Sequence, residues 1–285
     1  MSTSEAATAL DPVDTEKYPL TEPGGAAWRE IVDRTRAELR EVGCSVLKDF
    51  IRPESQGILR AECAALAPHA HGEVERVNAY NIALDTPLPD GHPGRTVMER
   101  GNAFVARDRI PATAIIQQLY TWPVFQRFVA DCFGLLELHE LADPLAGLTI
   151  NIIAPGRAHP WHFDTNEFTV SLLTQESDGG GRFEYCPNIR SATSENLDDV
   201  RAVLAGESAS VLRLDLRPGD LQLFRGRYSL HRVNTVEGAV ARHSAIFAYS
   251  ERPGVIGAPE RTRQLFGRIL PEHLAEAVRG DELLD

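Results

Sequence analysis

The sequence predicts an α+β protein, a double-stranded β-helix of the jelly-roll or cupin-like kind with N-terminal and C-terminal helices packed on it. Three observations predict it. Apolar residues recur at helical spacing before residue 135 and after residue 260, with one short helical stretch between. From 145 to 250 the period falls to two, in short runs. Those runs are divided by tight turns such as Arg217-Pro218-Gly219-Asp220. The 285 residues suit one large domain of this type. The expected division is a flexible segment over 1–25 and a single domain over 26–285. Within it, 26–135 is mainly helical support and substrate loop, 145–250 the barrel core, and 260–280 a C-terminal helix.

Taken in order, residues 1–25 are rich in Ser, Thr, Ala, Pro, Gly and acids. Trp28, Ile31, Val32, Leu39 and Val42 then mark a helix that Gly43 stops. A short strand is expected from Cys44 to Phe50, and Pro53 opens a second helix. The run Asp85-Thr-Pro-Leu-Pro-Asp-Gly-His-Pro-Gly94 is dense in turn residues and reads as a long loop. His69, His71 and His92 in this region read as exposed loop histidines. Two helices follow, one carrying Ile115, Ile116, Leu119 and Tyr120, the other starting at Pro123 and stopped by Gly134. Strands are expected from Gly147 onward. Among them lies a helical stretch at 190–208 that could act as a lid. Gly179-Gly180-Gly181 lacks the Lys-Ser/Thr of a phosphate loop and leads into a strand, so it reads as a turn.

Composition excludes several classes. Apolar content is 43% and charged content 25%, ordinary for a soluble globular protein. A net charge of −12 with no run of Lys and Arg argues against nucleic acid as a partner. No apolar run approaches the roughly 18 residues that cross a bilayer, so no membrane partner is expected. The four cysteines form no C-x-x-C pair, and Cys44, Cys63 and Cys132, set in apolar helical or strand patterns, read as reduced core residues. With no secretory leader in view, they point to the cytoplasm.

The chemistry gathers at His159-Pro-Trp-His162-Phe-Asp164-Thr165-Asn166. Residues i and i+2 of an extended strand share a face, so His162 and Asp164 present an imidazole and a carboxylate together. These are two of the three ligands of a non-haem Fe(II) facial triad. His231, 67 residues beyond Asp164, is the candidate third, since four or five barrel strands can return the chain to the same end. Arg242 and Ser244 share the next strand face. A guanidinium fork binds a carboxylate and a neighbouring hydroxyl adds a bond, which suits the remote carboxylate of a dicarboxylic keto acid. Asn151, on the first barrel strand, is a further candidate contact to that co-substrate. His243 points to the opposite face.

His162-x-Asp164, His231 and Arg242-x-Ser244, on a strand-rich half behind N-terminal helices, resemble the Fe(II)/2-oxoglutarate-dependent dioxygenase superfamily. Finer features narrow the likeness. The His159 to Asp164 run, Asp178-Gly-Gly-Gly-Arg-Phe-Glu-Tyr185, Asn188-Ile-Arg190, Pro218-Gly-Asp220 and Ser229-Leu-His-Arg-Val233 resemble the bacterial free-amino-acid radical halogenases and their hydroxylating relatives. The resemblance implies Fe(II), 2-oxoglutarate and O2, with succinate and CO2 as co-products. In the halogenating members glycine replaces the carboxylate ligand and leaves room for chloride. Asp164 stands at that position here, so the resemblance implies a hydroxylase.

The implied substrate is a small metabolite, a free amino acid or derivative, attacked at an unactivated C–H. Alternatives with the same cofactors are desaturation, cyclisation or epimerisation. A non-enzymatic cupin-like metal or metabolite sensor would need no keto-acid anchor, so Arg242-x-Ser244 speaks against it. The resemblance maps substrate contacts to His159 and Thr165. The acidic residue that meets an amine in the relatives is absent at Thr165, which disfavours a lysine-like substrate. Asn166 shares parity with His162 and Asp164 and is a further candidate. Arg100 and Arg107 are candidates for a substrate carboxylate.

Overall fold

The structure, a computed structural model, describes residues 12–274. The helical half opens with α1 (Ala26–Val42), β1 (Cys44–Leu47) and α2 (Pro53–Leu66). A small hairpin, β2 (Glu75–Val77) and β3 (Met98–Arg100), flanks the long loop and leads to β4 (Asn102–Val105). Helices α3 (Ile115–Thr121) and α4 (Pro123–Phe133) follow, then β5 (His139–Glu140). The barrel half comprises β6 (Leu148–Ile153), β7 (His159–His162), β8 (Thr169–Gln175), β9 (Gly179–Gly180) and β10 (Phe183–Cys186). After α5 (Leu197–Leu204) come β11 (Leu212–Leu214), β12 (Leu221–Phe224), β13 (Leu230–Val233), β14 (Val236–Glu237) and β15 (Arg242–Ser250), and α6 (Pro259–Phe266) closes the order.

The strands form two main antiparallel sheets. The larger runs β1-β12-β8-β15-β6-β4, with β5 also on β15; the smaller runs β11-β10-β13-β7. They face each other: Phe183 of the smaller sheet meets Phe224 of the larger edge to face at 5.2 Å. Strand alternation sorts the larger sheet's side chains. Leu148, Ile150, Val170, Leu172, Leu221, Leu223, Ala245 and Phe247 pack on the helices in the main core. Their neighbours Thr149, Asn151, Ser171, Gln222 and Ser244 face the barrel interior. A polar interior behind an apolar outer face is what a period of two produces when one face needs a ligand site.

The helices complete the core because each carries one apolar stripe. Trp28, Ile31, Val32 and Leu39 line one side of α1, and Gly43 ends the helix in the left-handed region at φ 65°. Trp28 stacks edge-on against Phe128 of α4 at 5.1 Å, and its indole N–H donates to Asp131 Oδ2 at 2.9 Å. All four cysteines are free and buried. Among the described residues no helix is long and apolar enough to cross a membrane.

Three expectations need correction. Of the flexible segment expected over 1–25, residues 1–11 lie outside the described residues, but 12–20 are anchored. Val13, Tyr18 and Leu20 are buried. Val13 forms a bridge with Ile51, and the Tyr18 hydroxyl donates to the Lys48 carbonyl at 2.6 Å. Polar composition masked three widely spaced apolar anchors. The C-terminal helix expected over 260–280 ends at Phe266, because Gly267 adopts φ 68°; a 3-10 turn occupies Pro271–Leu274, and 275–280 lie outside the described residues. The 190–208 region is a support and not a lid. Val200 and Val203 of α5 pack with Tyr80, Trp161 and Phe163, and Arg201 Nε donates to Gly91 O of the long loop at 2.8 Å.

Phe125 is fully buried, with ring contacts to Phe50 and Phe247 at 5.8 Å each. Phe125→Ala is expected to lower unfolding free energy by about 3–5 kcal/mol, read from the urea midpoint at unchanged slope.

Candidate metal centre

Strands β7 and β13 pair antiparallel with His162 directly opposite His231. Opposed residues lie about 4.5–5.5 Å apart at Cα, and the imidazole centroids stand 4.1 Å apart. Each ring is fixed in the same way. His162 Nδ1 bonds the carbonyl of Pro160 at 2.8 Å and His231 Nδ1 that of Ser229 at 2.9 Å. A carbonyl only accepts, so Nδ1 carries the proton and both Nε2 lone pairs face inward.

Asp164 lies two residues beyond the end of β7, held by its N–H to Gly226 O at 3.2 Å. Its Oδ1 lies 3.6 Å from His162 Nε2 and 3.4 Å from His231 Nε2. Its Oδ2 accepts the Thr169 hydroxyl at 2.6 Å. One oxygen is thus engaged and the other faces the histidines. Gly226 makes this possible: a Cβ built there would stand 1.9 Å from Asp164 Oδ2. The three ligand atoms lie within 4.8 Å of one another. Two imidazoles and a carboxylate on one side, with the other side open to a cavity, fit a six-coordinate divalent ion such as Fe(II).

Charge states suit that donor set. Burial first, and then His231, pushes the His162 imidazole down to about 4, so it is the neutral, ligating form. Burial alone would raise the Asp164 carboxyl, but the His231 and His162 rings hold it well below the usual carboxylate range.

A cavity of about 260 Å³ opens from these three residues. At its inner end sit Arg242 and Ser244, with Asn151 and Thr149 beside them. Arg242 is 6% exposed, and its Nη1 donates to Ser244 Oγ at 2.6 Å. Burial lowers its guanidinium to about 10, with Glu176 opposing. Among the described residues no carboxylate forms an ion pair with it. A buried cation without a counter-charge is costly, and the carboxylate of a keto acid would supply one. Asn151 accepts the Asn102 side-chain N–H at 2.8 Å. His243 faces away from the cavity, as strand parity requires.

The outer end holds His159, Thr165 and Asn166. His159 lies three residues before His162 and would point to the opposite face of a regular strand. The β7–β13 register shifts between His231 and Val233, so three steps on β7 match two on β13. This bulge turns His159 inward, and its ring stacks on His162 at 3.7 Å. Burial, then His162 and Arg100, pushes the His159 imidazole well below its ordinary value. Arg100 does not line the cavity. It is 4% exposed, pairs with Glu75, and leaves Nε and Nη1 without hydrogen-bond partners. Arg107 lies elsewhere, bonded to Glu140 at 2.7 Å and over the Tyr120 ring.

Sequence reasoning missed other lining residues. Ser171 and Gln222, hydrogen-bonded at 3.0 Å, share the parity of the inner face and were open to the same reading as Ser244. Asn81, Phe104 and the α6 face had no such signal, since nothing in the sequence places them at the barrel mouth.

A family model described as "HalD: Halogenase D" matches residues 28–255. No curated protein matches the sequence. Solved structures share the fold at low identity. A prolyl hydroxylase from Trichoplax adhaerens, in complex with a hypoxia inducible factor oxygen degradation domain peptide fragment, is 13% identical with a TM-score of 0.52, covering 79% of this chain and 90% of that one. AviO1 from Streptomyces viridochromogenes Tue57 is 13% identical with a TM-score of 0.53, covering 78% and 95%. The non-heme alpha ketoglutarate dependent epimerase SnoN from nogalamycin biosynthesis is 15% identical with a TM-score of 0.51, covering 78% and 81%.

Gly226→Ala tests the packing around Asp164. The added methyl displaces the carboxylate, so divalent-metal affinity should fall about 10–100-fold, the range for residues that orient ligands. Anaerobic equilibrium dialysis reads the loss, and unchanged circular dichroism shows the fold intact.

Proposed function

The chain belongs to the Halogenase D family and has the barrel of the Fe(II)/2-oxoglutarate oxygenases, and from that premise we propose that it is a hydroxylase of a small metabolite, a free amino acid or derivative. The observation that carries the reading is the Asp164 carboxylate, with one oxygen turned to His162 and His231 and the other fixed by Thr169. The resemblance assigns glycine to this position in halogenating members, to admit chloride. A carboxylate there fills the halide's place.

The residues would divide the work as follows. His162, Asp164 and His231 would hold Fe(II) on one side and leave the cavity side free. Arg242 and Ser244 would bind the remote carboxylate of 2-oxoglutarate, with Asn151 and Thr149 beside it. Bound Fe(II), with 2-oxoglutarate and O2, supplies the oxidant for C–H cleavage: one oxygen atom enters the product alcohol, the other enters succinate, and CO2 leaves. His159, uncharged in its buried stack, would face the substrate together with Thr165 and Asn166. Arg100 would add positive potential from behind His159. The aromatic walls Phe104, Phe163 and Phe266 would exclude water from the reacting carbon. A cavity of about 260 Å³ supports a small-molecule substrate, being just below the usual range of such sites, about 300–1,000 Å³. The free, buried cysteines are consistent with a cytoplasmic location.

Three experiments test this. Anaerobic addition of Fe(II) and 2-oxoglutarate should give a weak visible charge-transfer band, lost in His231→Ala; a folded wild-type protein without the band overturns the reading. A screen of amino acids and derivatives should then show substrate-dependent succinate with a product one oxygen heavier by mass spectrometry; a chlorinated product in the presence of chloride overturns the role given to Asp164. Arg242→Gln should raise the KM for 2-oxoglutarate at least about 30-fold, the cost of removing one partner of a buried charge pair, with the metal site retained.

A further inference from the structure

The long loop between β2 and β3 reaches the metal centre through one short stretch, Asn78 to Ile82. Asn78 is 1% exposed and builds a turn there. Its Oδ1 accepts the Tyr80 and Ile82 N–H groups at 3.1 and 3.3 Å, and its Nδ2 donates to Ile82 O at 3.0 Å. Inside the turn Asn81 stands at φ 56°, in the left-handed region. Asparagine is one of the few residues with a side chain that adopt it readily. The Asn81 backbone N–H donates to Asn78 O at 3.1 Å. Tyr80 is fully buried beside it, with its ring 5.6 Å from those of Phe163 and His92.

The turn is fitted to the residue between two metal ligands. Phe163 separates His162 from Asp164. Its N–H donates to Ala79 O at 3.0 Å, and its carbonyl accepts the Asn81 side-chain Nδ2–H at 3.2 Å. Both backbone groups of Phe163 are thus bonded to the loop. The next donor, the Asp164 N–H, goes to Gly226 O at 3.2 Å. The peptide unit joining Phe163 to Asp164 is trans, planar and rigid, so its C=O and N–H point in opposite directions. With its oxygen held by Asn81 and its N–H by Gly226, the plane has one orientation. That orientation sets the direction of the Asp164 Cα–Cβ bond, and so where the carboxylate meets His162 and His231. Thr169 fixes only the far end of the same side chain. Asn81 also lines the cavity, so the hold on this peptide comes from the substrate side.

We propose that Asn81 is a positioning residue for the Asp164 ligand: its amide holds the Phe163–Asp164 peptide opposite Gly226, and the long loop is thereby a part of the metal centre. The assignment rests on the oxygenase reading for the ion that His162, Asp164 and His231 hold.

The test uses the whole chain and two metal probes alone: Fe(II), by anaerobic equilibrium dialysis, and Co(II), whose visible d–d spectrum reports coordination geometry. Asn81→Gly removes the amide and keeps a backbone that suits φ 56° without strain. It should weaken Fe(II) binding about 3–10-fold, the worth of one hydrogen bond, and alter the Co(II) spectrum. Asn81→Asp keeps the size and the tolerance of the left-handed region but offers no N–H to the Phe163 carbonyl, so it should alter the Co(II) spectrum as well. Asp49→Gly makes the same backbone exchange at φ 53°, at an exposed side chain paired with Lys17, and should match wild type in both readouts. Wild-type Fe(II) affinity or a wild-type Co(II) spectrum in Asn81→Gly overturns the assignment. A wild-type spectrum in Asn81→Asp overturns the hydrogen bond as the means of positioning. Changes of equal size in Asp49→Gly reveal a general loosening and overturn the assignment too. A wild-type protein that binds neither ion overturns the oxygenase reading instead.

Discussion

The pairing of His162 opposite His231 on β7 and β13 is the constraint from which the site follows. Antiparallel registry alone brings two imidazoles to one face, and a slip of one residue would put them on opposite faces. The registry is defended on both sides. Phe183 and Phe224 pack around His231 at 5.5 and 4.8 Å between centroids. Trp161 and Phe163, flanking His162, sit in the cluster that α5 and the long loop complete. The loop-rich half of the chain thus supports the register, and the bulge in β7 adds a third histidine to the cavity without disturbing the facing pair.

The parts visible in the sequence are those governed by short periodicities. A spacing of two grouped His162 with Asp164 and Arg242 with Ser244, and in the structure each pair shares a face. The helices at Ala26–Val42 and Pro53–Leu66 were readable from apolar spacing, Pro starts and Gly stops. What stayed hidden depends on long-range geometry. The bulge that turns His159 inward is a property of two paired strands, and one strand's sequence does not contain it. The place of α6 over the barrel depends on Asp143 meeting residues 114 and 130 positions away. The N-terminal arm reads as flexible from sequence because Val13, Tyr18 and Leu20 are too sparse to show a period, yet each is buried.

The electrostatics of the cavity oppose those of the whole chain. The protein carries a net charge of −12, while the cavity holds two arginines and one carboxylate, the latter directed at the histidines. Coulomb interactions weaken with solvent and salt over roughly 10 Å at 0.1 M, so the exterior charge has little hold on groups buried in the barrel. Burial therefore sets the local behaviour. It leaves His162 neutral and able to coordinate, and it makes Arg242 favour a bound anion over solvent. A metal chelator that brings its own carboxylate satisfies both needs at once, whereas an acidic side chain placed beside Arg242 would have filled the pocket.

Asp164 and Gly226 are coupled by contact. The carboxylate occupies the volume that a Cβ at 226 would need, with Oδ2 1.9 Å from it, and the Asp164 N–H is bonded to the Gly226 carbonyl. The absence of a side chain at 226 is therefore a condition for a carboxylate at 164. The converse does not hold: with glycine at 164, a small side chain at 226 meets no carboxylate. Thr169 is tied to the same event, since its hydroxyl loses its acceptor when the carboxylate goes. A change of reaction type at this centre consequently alters the requirements at three positions. Substituting Asp164 alone removes a ligand, but it leaves a hydroxyl and a backbone turn shaped around the carboxylate, with no new group arranged to bind an ion in its place.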